Sequence, residues 1–336
     1  AEDALVAHMS KEIQPTMDRQ VRATKRLFND IGKDEIDRIM RNAMRQTDRY
    51  RALKNDGASD EEIMSEFKKP VKMKVFSYKG ERDTTMSPYD SILYHKQILR
   101  ASFMAIDPST GYVKAYVGGP NYRYFKYDMA KQGKRQVGST IKPFIYTFAI
   151  AHLGYDPCTL VPNLPVTIET DNGTIWQPKE AGRVEYTGEL KPLWWGLANS
   201  RNNYSAWIMK QARQPQAVAD YIHKMGIKSY IDPVYSLCLG TPDFSLFELV
   251  GAYGTFANRG VFTDPIFVTR IEDRNGNVLA TFAPALQDAI SEQTAFTMLG
   301  MMKNVVTSGT AGRLRWMYGF KADMAGKTGT SQKNSD

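Results

Sequence analysis

Cysteine is almost absent from this chain, which carries only Cys158 and Cys238 in 336 residues. They sit in no C-x-x-C and at no zinc-type spacing, so nothing indicates a cysteine-bound metal. Two buried or free thiols are expected, because Cys is among the most buried residue types; a disulfide between them is open but not implied. Histidine is scarce too. His8, His95, His152 and His223 are scattered, with no H-E-x-x-H and no evident place in a histidine-based serine triad. No run approaches the ~20 apolar residues that span a bilayer. No secretory signal opens the chain. G-x-G-x-x-G and low-complexity tracts are missing as well, which argues against that dinucleotide fingerprint and against disorder.

What is present is a foldable mixture. Hydrophobic residues make up 42%, enough for a core in one large domain or two smaller ones. The net charge is +8, and the excess lies beyond the first seventy residues, which are nearly balanced. A basic region suits an anionic substrate, a nucleic acid or an acidic membrane surface, and charge alone does not choose. No nucleic-acid reader motif accompanies it, so no nucleic acid is expected as a partner.

Residues 1–70 read as helices with a thin apolar face, a linker or docking segment. Leu5, Met9, Ile13 and Met17 recur every fourth residue, and Ile36, Ile39, Met40 and Met44 form a second stripe. Ser59 with Glu62 is a capping-box signature, and Pro70 should end the helix it opens. From Val71 the period changes. Val71, Met73 and Val75 alternate as in a strand. Segments 101–107 and 112–118 flank Pro108-Ser109-Thr110-Gly111, a β-hairpin turn. Helical patterns follow at 139–152, 193–211, 243–258 and 292–306. Between the last two, Asn275-Gly276 marks a second hairpin, and a final strand is expected to enter Lys327. Early strands, a helical middle and a late strand predict an α+β fold: an antiparallel sheet flanked by helices, with a helical lobe.

Three short motifs carry chemistry: Ser139-Thr140-Ile141-Lys142, Ser200-Arg201-Asn202 and Lys327-Thr328-Gly329-Thr330. Each is common by chance. Ser65-Glu66-Phe67-Lys68 also fits S-x-x-K, but it ends a charged helix and reads as a solvated face. In order and together, however, the three describe a serine acyl-transfer site with lysine as base. A serine hydroxyl needs a base within reach, and a three-residue spacing puts Ser139 and Lys142 on one helical face. Lysine acts as base only when neutral, so its pKa must fall through burial or a nearby cation, for which Lys327 is the candidate. Ser200 is placed to relay the proton, Asn202 to hold Lys142 and a substrate amide. The hydroxyls of Thr328 and Thr330 suit a carboxylate, and the N–H groups of Ser139 and Thr330 suit an oxyanion. Gly326-Lys327-Thr328 mimics a P-loop tail, but Lys321 stands where that motif needs glycine.

S-x-x-K, S-x-N and K-T-G together mark penicillin-binding proteins and serine β-lactamases. From about Val71 onward the chain resembles the transpeptidase region of class A (bifunctional) penicillin-binding proteins. The segments 135–144, 239–241, 252–260 and 305–311 carry the likeness beyond the triplets. Residues 1–70 resemble the linker ahead of that domain, leaving 71–336 as the transpeptidase domain. The resemblance implies the penicillin-binding/serine β-lactamase-like fold, with Ser139 as acylated nucleophile and Lys142 as its base. It assigns Ser200, Asn202 and Lys327 to proton transfer and binding, and Thr328, Gly329 and Thr330 to the substrate. The implied substrates are peptidoglycan stem peptides, the implied inhibitors β-lactams, and no metal or organic cofactor is implied. A membrane-anchored parent with a glycosyltransferase domain, acting outside the cytoplasm with cell-wall synthesis partners, is a further expectation.

Three departures accompany the resemblance. Neither the glycosyltransferase domain nor the anchor lies in this chain, whose opening reads as the interior of a helix. The family continues with further strands and a helix beyond the K-T-G strand, so a chain stopping at Asp336 is expected to leave a sheet edge unpaired. Pro178-Lys179-Glu180 stands where the family usually has Pro-Lys-Asn, and the sequence gives Glu180 no role. A D,D-carboxypeptidase with the same site and a non-catalytic penicillin-binding sensor or scaffold are the alternatives. A class A β-lactamase is disfavoured by Arg201, where that pattern has aspartate.

Overall fold

The four-residue apolar spacing at the start builds helix in the computed structural model. Helix α1 (Glu2–His8) passes through a π-turn at Met9–Ile13 into α2 (Gln14–Thr24). Helix α3 (Lys33–Arg45) buries Met40 and Met44. Helix α4 (Asp48–Asn55) is capped by Thr47, whose hydroxyl accepts from Tyr50 N. The Ser59/Glu62 capping box opens α5 (Asp60–Lys68), which ends ahead of Pro70. Strand β1 (Val71–Val75) pairs antiparallel with β2 (Arg82–Met86), Val71 opposite Met86. Helix α6 (Pro88–Gln97) starts on a Ser87 cap with proline at its first position. The described residues are 1–24, 28, 31–170, 173–182 and 185–331. They fall into two units, one of Ala1–Phe103 with Val117–Tyr127, the other of Met104–Tyr116 with Asp128–Asp336. Two apolar clusters hold the first unit, one around Met44, Ile63 and Phe67, the other around Met9, Phe76, Tyr78, Ile98 and Phe125.

The second unit carries all three motifs. The hairpin of β3 (Phe103–Ile106) with β4 (Val113–Val117) turns at Gly111, which takes φ +69°. Strand β5 (Lys134–Gln136) leads into a 3₁₀ turn, Gly138–Ile141, and then helix α7 (Lys142–His152). Phe144, Ile145 and Tyr146 are fully buried in α7, a helix apolar on nearly every side and therefore central. Strand β6 (Leu160–Pro162) pairs with β9 (Leu190–Pro192) and, between them, β7 (Ile168–Glu169) with β8 (Ile175–Trp176). Helices α8 (Leu193–Ala198), α9 (Asn202–Ala212) and α10 (Pro215–Lys224) follow. All three pack against α7. Strand β10 (Asp243–Ser245) pairs with β5 and runs into α11 (Leu246–Ala257). Strands β11 (Val261–Thr263) and β14 (Leu286–Asp288) pair around the hairpin of β12 (Arg270–Glu272) and β13 (Val278–Thr281). Helix α12 (Glu292–Thr307) packs on α7 and α8, and α13 (Arg313–Trp316) follows.

Three expectations are corrected. The pattern 193–211 is two helices, because the chain reverses at Asn199–Arg201. Residues 243–245 are strand rather than helix: Ser245 caps α11 through a second capping box, with Glu248. The strand expected into Lys327 is not formed; 325–331 runs on without a ladder partner among the described residues. A strand needs an adjacent backbone to bond to, and here Gly326 N donates instead to Met302 O of α12, at 3.3 Å. The unpaired edge expected at the end falls partly on 332–336, outside the described residues.

Candidate active site

The nucleophile turn is held by backbone. Val137 N and Gly138 N donate to Pro242 O and Gly240 O, both at 3.0 Å. The approach is so close that a Cβ on Gly240 would lie 1.9 Å from Gly138 O, and one on Gly138 would lie 2.3 Å from Thr330 O. Both glycines also have positive φ, +51° and +81°, so only glycine fits either position. Thr140 Oγ1 donates to Val137 O at 2.6 Å, and Tyr253 of α11 donates its hydroxyl to Thr140 O at 2.7 Å. Ser139 is half-buried on this turn. Its hydroxyl makes no hydrogen bond among the described residues, so the bond to Lys142 expected from the spacing is not made here.

Lys142 is turned toward the second motif. Its Nζ donates to Ser200 O at 2.5 Å and to Asn202 Oδ1 at 2.7 Å, with Ser200 Oγ at 3.4 Å. Lys327 Nζ donates to the same Ser200 Oγ at 2.8 Å and to Thr328 O at 2.9 Å. The structure therefore gathers Lys142, Ser200, Asn202 and Lys327 around one hydroxyl. Thr328 and Gly329 follow on the K-T-G segment, where the Thr328 hydroxyl pairs with that of Thr310 at 2.6 Å. A Cβ on Gly329 would lie 2.8 Å from Thr140 Cγ2, so the segment lies across the nucleophile turn. Thr330 is exposed at its end, its hydroxyl donating to Gly329 O.

Ser200 owes its position to the end of α8. Arg201 N donates to Gly196 O and Ser200 N to Leu197 O, the paired bonds of a Schellman motif. In that motif Ser200 fills the left-handed position, φ +53°, where glycine is usual. The kink that splits 193–211 thus also turns the Ser200 carbonyl toward Lys142 and its hydroxyl toward both lysines.

Burial sets the electrostatics. Lys142 has no exposed surface, and desolvation lowers its pKa to about 8, opposed by Glu180 and then by Cys238. Lys327 falls to about 7, by burial first and then by repulsion from Lys142. Of the two causes expected from the sequence, burial and a nearby cation, burial is the larger at Lys142. Burial does most of the work at both, and the repulsion between the two ammonium groups is mutual. Cys238 is a buried free thiol pushed up to about 12 by desolvation, and Cys158 is exposed and free. Among the described residues no group of His, Cys, Asp and Glu could hold a metal.

Glu180, which the sequence left without a role, closes the start of α9. Its carboxylate oxygens accept from Asn202 N at 3.0 Å and Asn203 N at 2.8 Å, with Arg201 Nε at 3.6 Å. Nothing local to α9 announces a cap supplied from 22 residues upstream. The only sequence signal was the carboxylate in Pro178-Lys179-Glu180.

Two family models match the chain: the penicillin-binding protein middle domain over residues 23–99 and the penicillin binding protein transpeptidase domain over 101–336. Penicillin-binding protein 1A of Neisseria cinerea is 33% identical over 254 residues, 73% of this chain and 31% of that protein. Penicillin-binding protein 1B of Vibrio cholerae is 31% identical over 240 residues, 71% of this chain and 30% of that protein. The chain thus spans about a third of the length of these curated relatives. Among solved structures, penicillin-binding protein PonA1 from Mycobacterium tuberculosis aligns with a TM-score of 0.57 at 27% identity, covering 69% of this chain and 61% of that one. Penicillin-binding protein 1A from Haemophilus influenzae gives 0.61 at 23% identity, covering 69% and 40%, a likeness of fold. Three motifs gathered in one unit, a transpeptidase match across it and relatives above 30% identity agree: this chain belongs to the penicillin-binding protein transpeptidase family.

Proposed function

We propose that the chain is a serine D,D-transpeptidase that cross-links peptidoglycan stem peptides, with Ser139 as the acylated residue. The observation that carries this reading is Ser200 Oγ shared between the buried Lys142 and the half-buried Lys327, beside the nucleophile turn. A neutral lysine amine has two N–H groups. Ser200 O and Asn202 Oδ1 hold Lys142 by its N–H groups, and in the neutral amine the lone pair is the base for the Ser139 proton. Burial keeps enough of that amine neutral near pH 8.

In the acylation half, Ser139 Oγ attacks the carbonyl carbon of the penultimate D-Ala while its proton passes to Lys142. The N–H groups of Ser139 and Thr330 stabilise the oxyanion. The C–N bond then breaks, and the leaving D-Ala amine takes a proton delivered from Lys142 through Ser200 Oγ. Lys327 orients that hydroxyl, and Thr328, Gly329 and Thr330 receive the terminal carboxylate. In the second half an amine of another stem peptide attacks the acyl-serine carbonyl, gives up its proton along the same path and frees Ser139. β-Lactams would acylate Ser139 by the same first half. The full protein would act outside the cytoplasmic membrane, where peptidoglycan lies, as part of a membrane-anchored parent with a glycosyltransferase domain.

The test is intact mass after incubation with a labelled penicillin, beside Ser139→Ala. One stoichiometric adduct on the parent, absent from the variant, is expected. An adduct that survives in Ser139→Ala, or none on the parent, would sink the reading.

A further inference from the structure

We propose that Glu180 is a positioning residue of the acylation site: its carboxylate ties the start of α9 to the Pro178–Lys179 loop and fixes a negative charge on the backbone of Asn202, Lys142's own acceptor. This rests on the acyl-serine reading above and goes beyond the three motifs.

The geometry is that of a helix cap supplied from outside. Arg201, the residue before α9, offers no side-chain cap. Glu180 takes the orphan N–H groups of Asn202 and Asn203 instead. Its neighbour Lys179 accepts from Asn202 Nδ2 at 2.7 Å through its carbonyl. Asn202 is thereby held at both ends of its amide, with Nδ2 on Lys179 O and Oδ1 on Lys142 Nζ. A shift of Glu180 would move the acceptor that aims the base.

The carboxylate is 7% exposed, and a buried charge needs a partner. Arg201, 11% exposed, is that partner. Its guanidinium lies 5.8 Å from the ring centres of both Tyr186 and Trp195 and donates to Asn163 Oδ1 at 2.9 Å. The charged and titratable groups around Lys142 and Glu180 are Arg201 from the turn, Lys327 from the K-T-G segment, Cys238, and the phenols of Tyr146 and Tyr186. Among them Glu180 is the strongest influence holding the Lys142 ammonium against burial. Removing its charge should leave Lys142 neutral at lower pH.

The test compares the parent with Glu180→Gln, which loses the charge, and Glu180→Asp, which keeps it on a shorter arm. Penicillin acylation rates are measured across pH. In parallel, the Lys142 Cε resonance of ¹³C-lysine-labelled protein, assigned with Lys142→Met, is titrated. For Glu180→Gln the midpoints of both curves should fall by about half a pH unit or more, with the plateau rate down roughly tenfold. For Glu180→Asp the midpoints should stay parental while the plateau falls. A purely structural cap would lower the melting temperature of Glu180→Gln and leave both midpoints where they were, which would overturn the proposal. If Glu180→Gln does not fold, Glu180→Gln with Arg201→Gln leaves neither member of that pair alone, and its midpoints are compared with those of Arg201→Gln, because Arg201 itself lowers Lys142; they should again fall. A parent that takes no penicillin refutes the acyl-serine reading, and the resonance midpoint still decides Glu180.

Discussion

At the scale of single residues, Ser200 is the clearest case of function set against stability. It holds a left-handed backbone that costs a non-glycine residue about 1–2 kcal/mol. Ser200→Gly is therefore expected to unfold at higher denaturant, by about 1 kcal/mol, while acylation falls on the order of a hundredfold or more. Chemical denaturation and penicillin acylation on the same preparation check both. The two lysines give a pH signature. Their folded-state values of about 8 and 7 lie below the ordinary lysine value, so the unfolded chain binds more protons above pH 7. Stability from this pair then rises with pH from about 7 toward 10. Acylation should rise over pH 7–8 and flatten above, as the coupled pair becomes neutral. A rate that falls through that window would contradict Lys142 as base. That Lys142, Ser200, Asn202 and Lys327 would be brought together was legible because the motifs' residue types and order leave few alternatives. Glu180 was not, because it acts through backbone N–H groups far along the chain, and any carboxylate at a loop end looks the same in sequence.

At the scale of elements, helix starts were readable where a side chain near in sequence marks them, as at Ser59/Glu62. The split between α8 and α9 had a signal in the five polar residues Asn199–Asn203, but neither glycine nor proline stands at Ser200 to mark a stop. Helix α11 was read too early, since β10 exists only through its pairing with β5, far away in sequence. Its cap also braces the site. Glu248 is half-buried; burial would raise its pKa, but bonds from the backbone and hydroxyls of Ser245 and Ser229 outweigh this and lower it. It also accepts from Lys228 N. Glu248→Ala should cost about 2–3 kcal/mol in chemical denaturation, since it leaves several donors without a partner. Because α11 carries Tyr253, which holds Thr140 O, acylation should slow in the same variant.

At the scale of the whole molecule, the chain has separate apolar cores in its two units. Phe67, 1% exposed, fills the core of the first. Phe67→Ala should remove about 3–5 kcal/mol there, read as lost amide-exchange protection across α3 and α5. The α+β class was legible from the order of strand and helix periods. Which strands find partners was not, since pairing depends on neighbours that no local pattern names. The distances along the chain have a last consequence, in time rather than in space. Ser200 meets Lys142 across 58 residues and Lys327 across 127. At ribosomal speeds of about 5–20 residues per second, Lys327 is made on the order of ten seconds after Ser200. During that interval the nascent chain can hold its first lysine–serine contact but not its second. The two lysine contacts of Ser200 therefore have a fixed order during synthesis, the one to Lys142 first and the one to Lys327 second.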